Sequence, residues 1–515
     1  MKKIIFTQEW MFMHPYKKVE AVDLYYTDLA NKIYHALDNA CFPHQFKDVQ
    51  DAKNLALCIA AYFEDVLSGT CIWKTFTTEC HKRYGVYIPF YQEGAAYEAS
   101  ITNNPDGSCA PYNQDDINIA DIKFLLWHHF QQCNPEPVPP LFGPLEIAAK
   151  MVYDVLNADY ETAPENERMY EYLCTMPTDE NHYFEFRNVL EWFHYGCFFN
   201  VGNRRRLANA MQWLANMGNY NEVNAYTVKT EQPIMDRTNL LAFTSLEWLA
   251  KISEHHTAHK LWTETDFRNK RFYQVQKVDD SFITVKDLFK KDVINIDKRS
   301  INIDDFTPLT ESNDLMIASV VKFGETWWLN GIMQTCKNDK EAKRAVADGK
   351  DVFNHKQAIH DYNLLKDNGY GSMFLFADGC DMVKEFCKNI GYELPKDFAI
   401  PKAVENGIIV SGSPYTGLSI TVAMAHCICS PDNPYYNSEK AEENCFDIIS
   451  GRGNAFPYEI VRRLIDNNML PDANIFTSKY VKEIGKRITQ ENLYFLADYY
   501  LMGRPDKDFS PIELW

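Results

Sequence analysis

No window of this 515-residue chain approaches the ~18 uninterrupted apolar residues that a membrane-spanning helix needs. Its 14 cysteines include no C-x-x-C pair, so neither a thioredoxin-type redox couple nor a zinc ribbon is indicated. Positive charge is scarce: 52 Lys and Arg stand against 71 Asp and Glu, a net charge of −19. Coating a duplex or an anionic membrane calls for clustered cations, so those two classes are disfavoured. Familiar catalytic patterns are missing too. There is no G-x-G-x-x-G after a strand, no G-x-S-x-G and no EF-hand loop. Gly412 to Gly417 has the outer spacing of a phosphate loop but lacks the Lys-Ser/Thr that would follow it. No cofactor is read from the sequence, and no repeat period of ~20–50 residues supports a solenoid.

What remains is ordinary globular material, 46% apolar and 24% charged, enough for a sizeable core. At ~150 residues per domain the length suggests roughly three domains, or two large ones. Met1-Lys2-Lys3-Ile4-Ile5-Phe6 begins like a signal peptide, but the apolar run stops at Thr7-Gln8-Glu9. The expectation is a cytoplasmic chain whose thiols are reduced and mostly fill its core.

The first half reads as helices. Tyr26, Leu29, Ile33 and Leu37 recur at helical steps behind Asp23, a candidate N-cap. Leu55, Cys58, Ile59, Tyr62 and Val66 repeat the pattern and run into Gly69, placed to end a helix in the left-handed conformation. Ile119, Ile122, Leu126 and Phe130 form a third stripe, which must stop before the prolines of 135–140. Pro144 opens another helix; Tyr183 to Phe199 and Arg206 to Met217 give two more, and Thr238 is expected to cap a run from Leu241 to Ile252.

Near residue 270 the texture changes to that of strands. Phe272–Val278 with Phe282–Val285, and Asp314–Phe323 with Thr326–Met333, read as hairpins. A strand over Ser372–Ala377, a helix over Asp378–Asn389 and a strand pair over Ile408–Ser411 and Leu418–Ala425 follow. Helices over Glu439–Ile449, Pro457–Met469 and Ser478–Met502 close the chain. The fold class is therefore α+β: a large all-helical N-terminal half, then a mixed α+β C-terminal half with antiparallel hairpins. The expected domains are 1–265, helical; 266–470, α+β; and 471–515, a C-terminal helical extension.

Four constellations deserve weighing. His255 and His259 at i, i+4 would share a helical face, the spacing two metal-binding imidazoles need, with Asp121 or Glu247 as possible carboxylate ligands. The competing reading, a polar helix end interacting with its own carbonyls, is preferred. His426, Cys427 and Cys429 could supply soft ligands or a nucleophile, yet no second ligand pair is spaced to help, and buried structural thiols are favoured. Arg204-Arg205-Arg206 is the densest basic run; in an acidic chain it reads as a helix start pairing local carboxylates. Trp327 and Trp328 must point to opposite faces of a strand, so one fills the core while the other packs under a helix or serves recognition.

Several stretches carry a resemblance: Gln8-Glu9-Trp10 with His14-Pro15-Tyr16, Asp23-Leu24-Tyr25-Tyr26, Asp116-Ile117-Asn118-Ile119-Ala120-Asp121-Ile122, Val320-Val321-Lys322-Phe323 with Trp327-Trp328-Leu329-Asn330-Gly331, and Pro431-Asp432-Asn433-Pro434-Tyr435-Tyr436. Together they resemble an uncharacterised domain-of-unknown-function family of gut Bacteroidales proteins. The resemblance implies a bacterial intracellular protein whose two halves belong together, and it brings no activity. Three functional readings stand. The preferred one is a non-enzymatic binding or adaptor protein that meets a protein partner, rather than nucleic acid or membrane, through Tyr415, Tyr435, Tyr436 and Trp328. The second is a metal-assisted hydrolase or nuclease using His255 and His259. The third is a regulatory or defence component of a mobile element.

Overall fold

The computed structural model describes residues 2–91, 112–177, 179–218, 222–301, 315–353, 355–369, 373–454, 456–476 and 482–508. Within them the chain is α+β, helical at first and carrying both sheets after residue 266. Its Cα positions cluster into two compact units. The first comprises Met1–Thr238 and Phe243–Val346, the second Asn239–Ala242 and Ala347–Trp515. The five strands that follow residue 266 thus cluster with the helices that precede them. Asp314, Ser372 and Ser478–Val481, expected at element starts, lie outside the described residues.

Unit 1 opens with α1 (Thr7–Met11), α2 (Ala21–Asn39), α3 (Val49–Ser68) and α4 (Ile72–Tyr84). α3 ends at Gly69 with φ +61°, as its position predicts. Asp23 falls at the third residue of α2 instead of ahead of it; its carboxylate accepts the backbone N–H of Glu20 at 2.7 Å. α5 (Ile119–Cys133) is buried on nearly every face, so each of its polar side chains needs an internal partner. Lys123 meets Glu146 at 2.5 Å, His128 Nε2 meets the Phe199 carbonyl at 2.8 Å, and Gln131 accepts the Val138 N–H at 2.7 Å.

α6 (Gly143–Asp159), α7 (Glu167–Cys174), α8 (Tyr183–Tyr195), α9 (Val201–Asn216) and α10 (Glu222–Met235) continue the helical layer. α11 (Ser245–Ile252) and α12 (His259–Glu264) replace the single helix expected from Leu241 onward. Leu241 and Ala242 both have positive φ, which breaks any helix there, and the cap is Thr244, whose Oγ1 accepts the Glu247 N–H at 3.3 Å. Thr238 instead accepts the indole N–H of Trp248 at 2.9 Å.

The strands β1 (Phe267–Val278), β2 (Phe282–Asp287), β3 (Val293–Asp297), β4 (Leu315–Phe323) and β5 (Thr326–Cys336) close into a barrel, order β1-β2-β3-β5-β4. Every neighbouring pair is antiparallel except β3 with β5. The interior takes alternate residues from each strand: Tyr273 and Val275, Ile283 and Val285, Ile294 and Ile296, Met316, Ala318 and Val320, Trp327 and Leu329. Adjacent tryptophans therefore part company. Trp327 faces inward with the Arg268 guanidinium 4.2 Å from its ring centre; Trp328 stacks on Tyr183 of α8 at 4.3 Å.

In unit 2, β6 (Met373–Ala377), β7 (Ile408–Ser413) and β8 (Gly417–Val422) form an antiparallel sheet. One of its helices, α13 (Lys340–Phe353), contains the boundary between the units; α14 (Lys356–Asp367) and α15 (Cys380–Ile390) pack Leu365, Val383, Phe386 and Ile390 against Ile408 and Val410. α14 lies so close that a Cβ on Gly412 would stand 2.4 Å from the Leu365 methyl. α16 (Ser438–Ser450), α17 (Tyr458–Asp466), α18 (Lys482–Glu491), α19 (Leu493–Leu501) and α20 (Pro505–Asp508) complete the unit. No single described helix is long and apolar enough to cross a membrane.

Candidate functional site

The most developed polar assembly in unit 1 lies behind the segment that links α1 to α2. His14 Nε2 stands 2.7 Å from Glu64 Oε2, and His14 Nδ1 3.1 Å from the Trp10 carbonyl. Glu64 Oε1 accepts from Asn166 Nδ2 at 2.7 Å, and the same amide group donates to the Tyr16 hydroxyl at 2.7 Å. Tyr16 Oη donates to Asp23 Oδ1 at 3.3 Å, which also accepts from Trp10 Nε1 at 3.2 Å. Arg168 donates to Asp23 Oδ2 at 2.9 Å, its guanidinium 3.8 Å from the Tyr16 ring centre. His14, Tyr16, Asp23, Glu64 and Asn166 are all buried. Burial first, then the neighbouring Glu64 and Asp23 charges, push the Tyr16 phenol far above its ordinary range. Both nitrogens of His14 face oxygen atoms, so the ring is held on both sides inside the network.

In front of this network lies an open cleft of about 320 Å³ between residues 11–17 and α8. α8 holds the segment by its backbone: Trp192 Nε1 donates to the Met13 carbonyl at 2.6 Å, and Asn188 Nδ2 to the Pro15 carbonyl at 2.7 Å. The cleft walls include Phe12, Tyr16, Trp192 and Tyr195, with Lys17 and Glu191 also lining it. Phe12 is 60% exposed, and the guanidinium of Arg204 lies 5.3 Å from its ring centre. Arg204 also donates to the Tyr195 carbonyl at 2.5 Å. The basic triplet is thus spent inside the unit: Arg205 pairs with Asp51 at 2.6 Å and Arg206 donates to the Arg237 carbonyl at 2.8 Å.

The residues singled out in the sequence lie elsewhere. Trp328 is 1% exposed and packs under α8, the first of the two alternatives for the outward tryptophan, so it offers no accessible surface for recognition. Tyr415 is 45% exposed at the β7–β8 turn, its ring 6.1 Å from that of His355. Tyr435 rests on Gly407, whose added Cβ would meet the ring at 2.7 Å, and Tyr436 is 37% exposed. Asn433 ties that loop down by donating to the carbonyls of Ala425 and Ile428 at 2.6 and 2.7 Å.

His255 and His259 do not share a helical face. α11 stops at Ile252, His255 is exposed in the turns that follow, and His259 starts α12. His259 Nδ1 donates to the Ala250 carbonyl at 2.8 Å. Neither expected carboxylate is free to join them: Asp121 accepts from Tyr62 and Tyr112 at 2.6 and 2.8 Å, and Glu247 accepts the Thr244 N–H at 3.0 Å.

Cys427 sits in a short 3-10 turn rather than a strand, its sulfur 3.2 Å from His426 Nε2. Burial pushes the thiol up to about 12 and pulls the imidazole down, the opposite of an activated thiolate–imidazolium pair. Among the described residues, the group of His, Cys and carboxylate atoms close enough to share an ion is Asp51, His129 and Cys133, all within 4.8 Å of one another. Its i, i+4 signature on α5 is visible in the sequence as His129 and Cys133, on a helix the apolar stripe had already marked.

A family model described as "Protein of unknown function (DUF3843)" matches residues 4–316 and 327–502. The matched span takes in Trp10, His14, Tyr16 and Asp23 of the network, in keeping with a resemblance to a family without an assigned activity. No curated protein and no solved structure matches the chain.

Proposed function

We propose, for a chain that belongs to the DUF3843 family of proteins of unknown function, a binding role exercised at the Phe12–Trp192 cleft. The observation that carries this reading is the exposed Phe12 standing over an aromatic-walled cleft whose floor is a fully engaged polar network. Large aromatic side chains supply contact area at low entropic cost, and they dominate recognition where water is excluded. The hydrogen bonds from Asn188 and Trp192 hold the segment's backbone in place, so little ordering entropy remains to be lost on binding. A volume of about 320 Å³ accommodates one or two apolar side chains of an extended segment. With a net charge of −19, association is fastest for a protein partner whose rim is basic.

The test is site-specific photocrosslinking from position 12 in native lysate, with a second probe at the 59%-exposed Trp213 as control. The expected result is a discrete protein adduct from position 12 that weakens with Glu191→Lys and is absent from position 213. Identical adduct patterns from the two positions would remove the cleft from consideration.

A further inference from the structure

The strongest unassigned chemistry lies away from that cleft, where the C-terminal end of α5 meets the first turn of α3. His129 is 2% exposed. Its Nε2 stands 3.0 Å from the Asp51 backbone carbonyl, which can only accept, so the ring proton is on Nε2 and Nδ1 carries a lone pair. That Nδ1 is buried and has no hydrogen-bond partner. A buried, unsatisfied imidazole nitrogen is costly unless something else takes its lone pair. A ring nitrogen of His129, the Cys133 sulfur one helical turn further along α5, and an Asp51 carboxylate oxygen all lie within 4.8 Å of one another.

The geometry points to a zinc site built from His129 Nδ1, Cys133 Sγ and an Asp51 carboxylate oxygen, with a solvent molecule completing the tetrahedron. Nitrogen, thiolate and carboxylate are the donors Zn²⁺ accepts, and three protein ligands leave an open fourth position. The hydrogen bond from the far ring nitrogen to a carbonyl is the support that ligating histidines commonly have; here Asp51 supplies both that carbonyl and a ligand. Bonds of about 2.0–2.3 Å set tetrahedral ligand atoms roughly 3.5 Å apart, so the three groups close by about 1 Å. The Cys133 thiol surrenders its proton to solvent as the metal–sulfur bond forms.

Arg205 makes the site exchangeable. Its Nη2 lies 2.6 Å from Asp51 Oδ1 and 2.9 Å from Cys133 Sγ, so it occupies two of the three ligands as a competing cation. Arg205 is 37% exposed and can swing outward, after which Zn²⁺ with one thiolate and one carboxylate forms a neutral cluster.

The experiment uses the full chain freed of metal with a chelator, titrated with Co²⁺ and then Zn²⁺. Expected are a sulfur-to-cobalt charge-transfer band, its displacement by Zn²⁺, and release of about one proton per ion. Affinity should rise about tenfold per pH unit near neutrality, because one thiol proton is lost. Cys133→Ser and the partly exposed Asp51→Asn should each abolish the band while circular dichroism stays native. Arg205→Ala should tighten Zn²⁺ binding about tenfold by removing one charge-assisted competitor. A purely structural Arg205–Asp51 ion pair predicts instead no uptake at all. Absence of the band in the wild-type chain, its survival in folded Cys133→Ser or Asp51→Asn, or weaker binding by Arg205→Ala would each overturn the proposal.

Discussion

Lowering the pH from 7 to 5 should strip about 3 kcal/mol from the stability of unit 1. Three imidazoles there are buried and neutral: His128 is pulled down to about 4, His129 and His194 to about 3, in each case chiefly by burial. Their folded values lie below the unfolded value near 6.5, so their contribution is present above that pH and is lost as the solution is acidified through the window beneath it. Between pH 7 and 5 the unfolded chain takes up protons that the folded chain refuses, at about 2 kcal/mol for each histidine and about 6 in all. Two buried carboxyls act in the other direction. Asp65 and Asp121 are raised to about 6 by burial, so the folded state gains protons there first and recovers about 3 kcal/mol over the same interval. The histidines win. Urea unfolding at pH 7, 6 and 5 measures this, and tryptophan fluorescence isolates unit 1, since every tryptophan but Trp515 falls in its residue ranges. His128→Gln should be less stable at pH 7 yet lose about 2 kcal/mol less on acidification. A wild-type midpoint that is flat or rising towards pH 5, or a variant with the full acid loss, would refute the reasoning.

Other perturbations separate packing from chemistry. Trp328→Ala removes a fully buried ring stacked on Tyr183 and should cost about 3–5 kcal/mol in chemical denaturation. Gly407→Ala forces a side chain into a left-handed backbone (φ +66°) and against the Tyr435 ring and the Ala425 Cβ, so its thermal midpoint should fall; pairing it with Tyr435→Ala should recover only the part due to that ring. Alkylation at pH 8 with mass mapping should label the exposed Cys41 and Cys429 quickly and spare Cys427, whose thiol is buried and raised to about 12.

Local rules read well from the sequence wherever one residue type decides. Gly69 ends α3, the prolines after Cys133 end α5, and strand-forming runs on either side of the short turns after Val278 and Phe323 mark β1 with β2 and β4 with β5. What escaped needed contacts distant along the chain. β3 is five residues long, and it closes the barrel through a parallel pairing with β5 that places Ile296 opposite Trp327, which no local pattern announces. The His255–His259 spacing failed because Ser253 turns its hydroxyl back to the Leu249 carbonyl and the chain leaves the helix before either histidine. The polar network was illegible for the same reason: Trp10, His14, Tyr16, Glu64 and Arg168 come from three separate stretches of the chain. His129 and Cys133 were within reach of the spacing rules, yet only Asp51, nearly eighty residues earlier, turns them into a cluster.

The parting of Trp327 and Trp328 carries a consequence for how β5 can change length. Removing or adding one residue between Thr326 and Leu329 would exchange inside for outside, driving the indole that stacks on Tyr183 into an interior already filled from four other strands. Length variation in this strand is therefore quantised in steps of two, and drift by a single residue is tolerable only in the turn that precedes it.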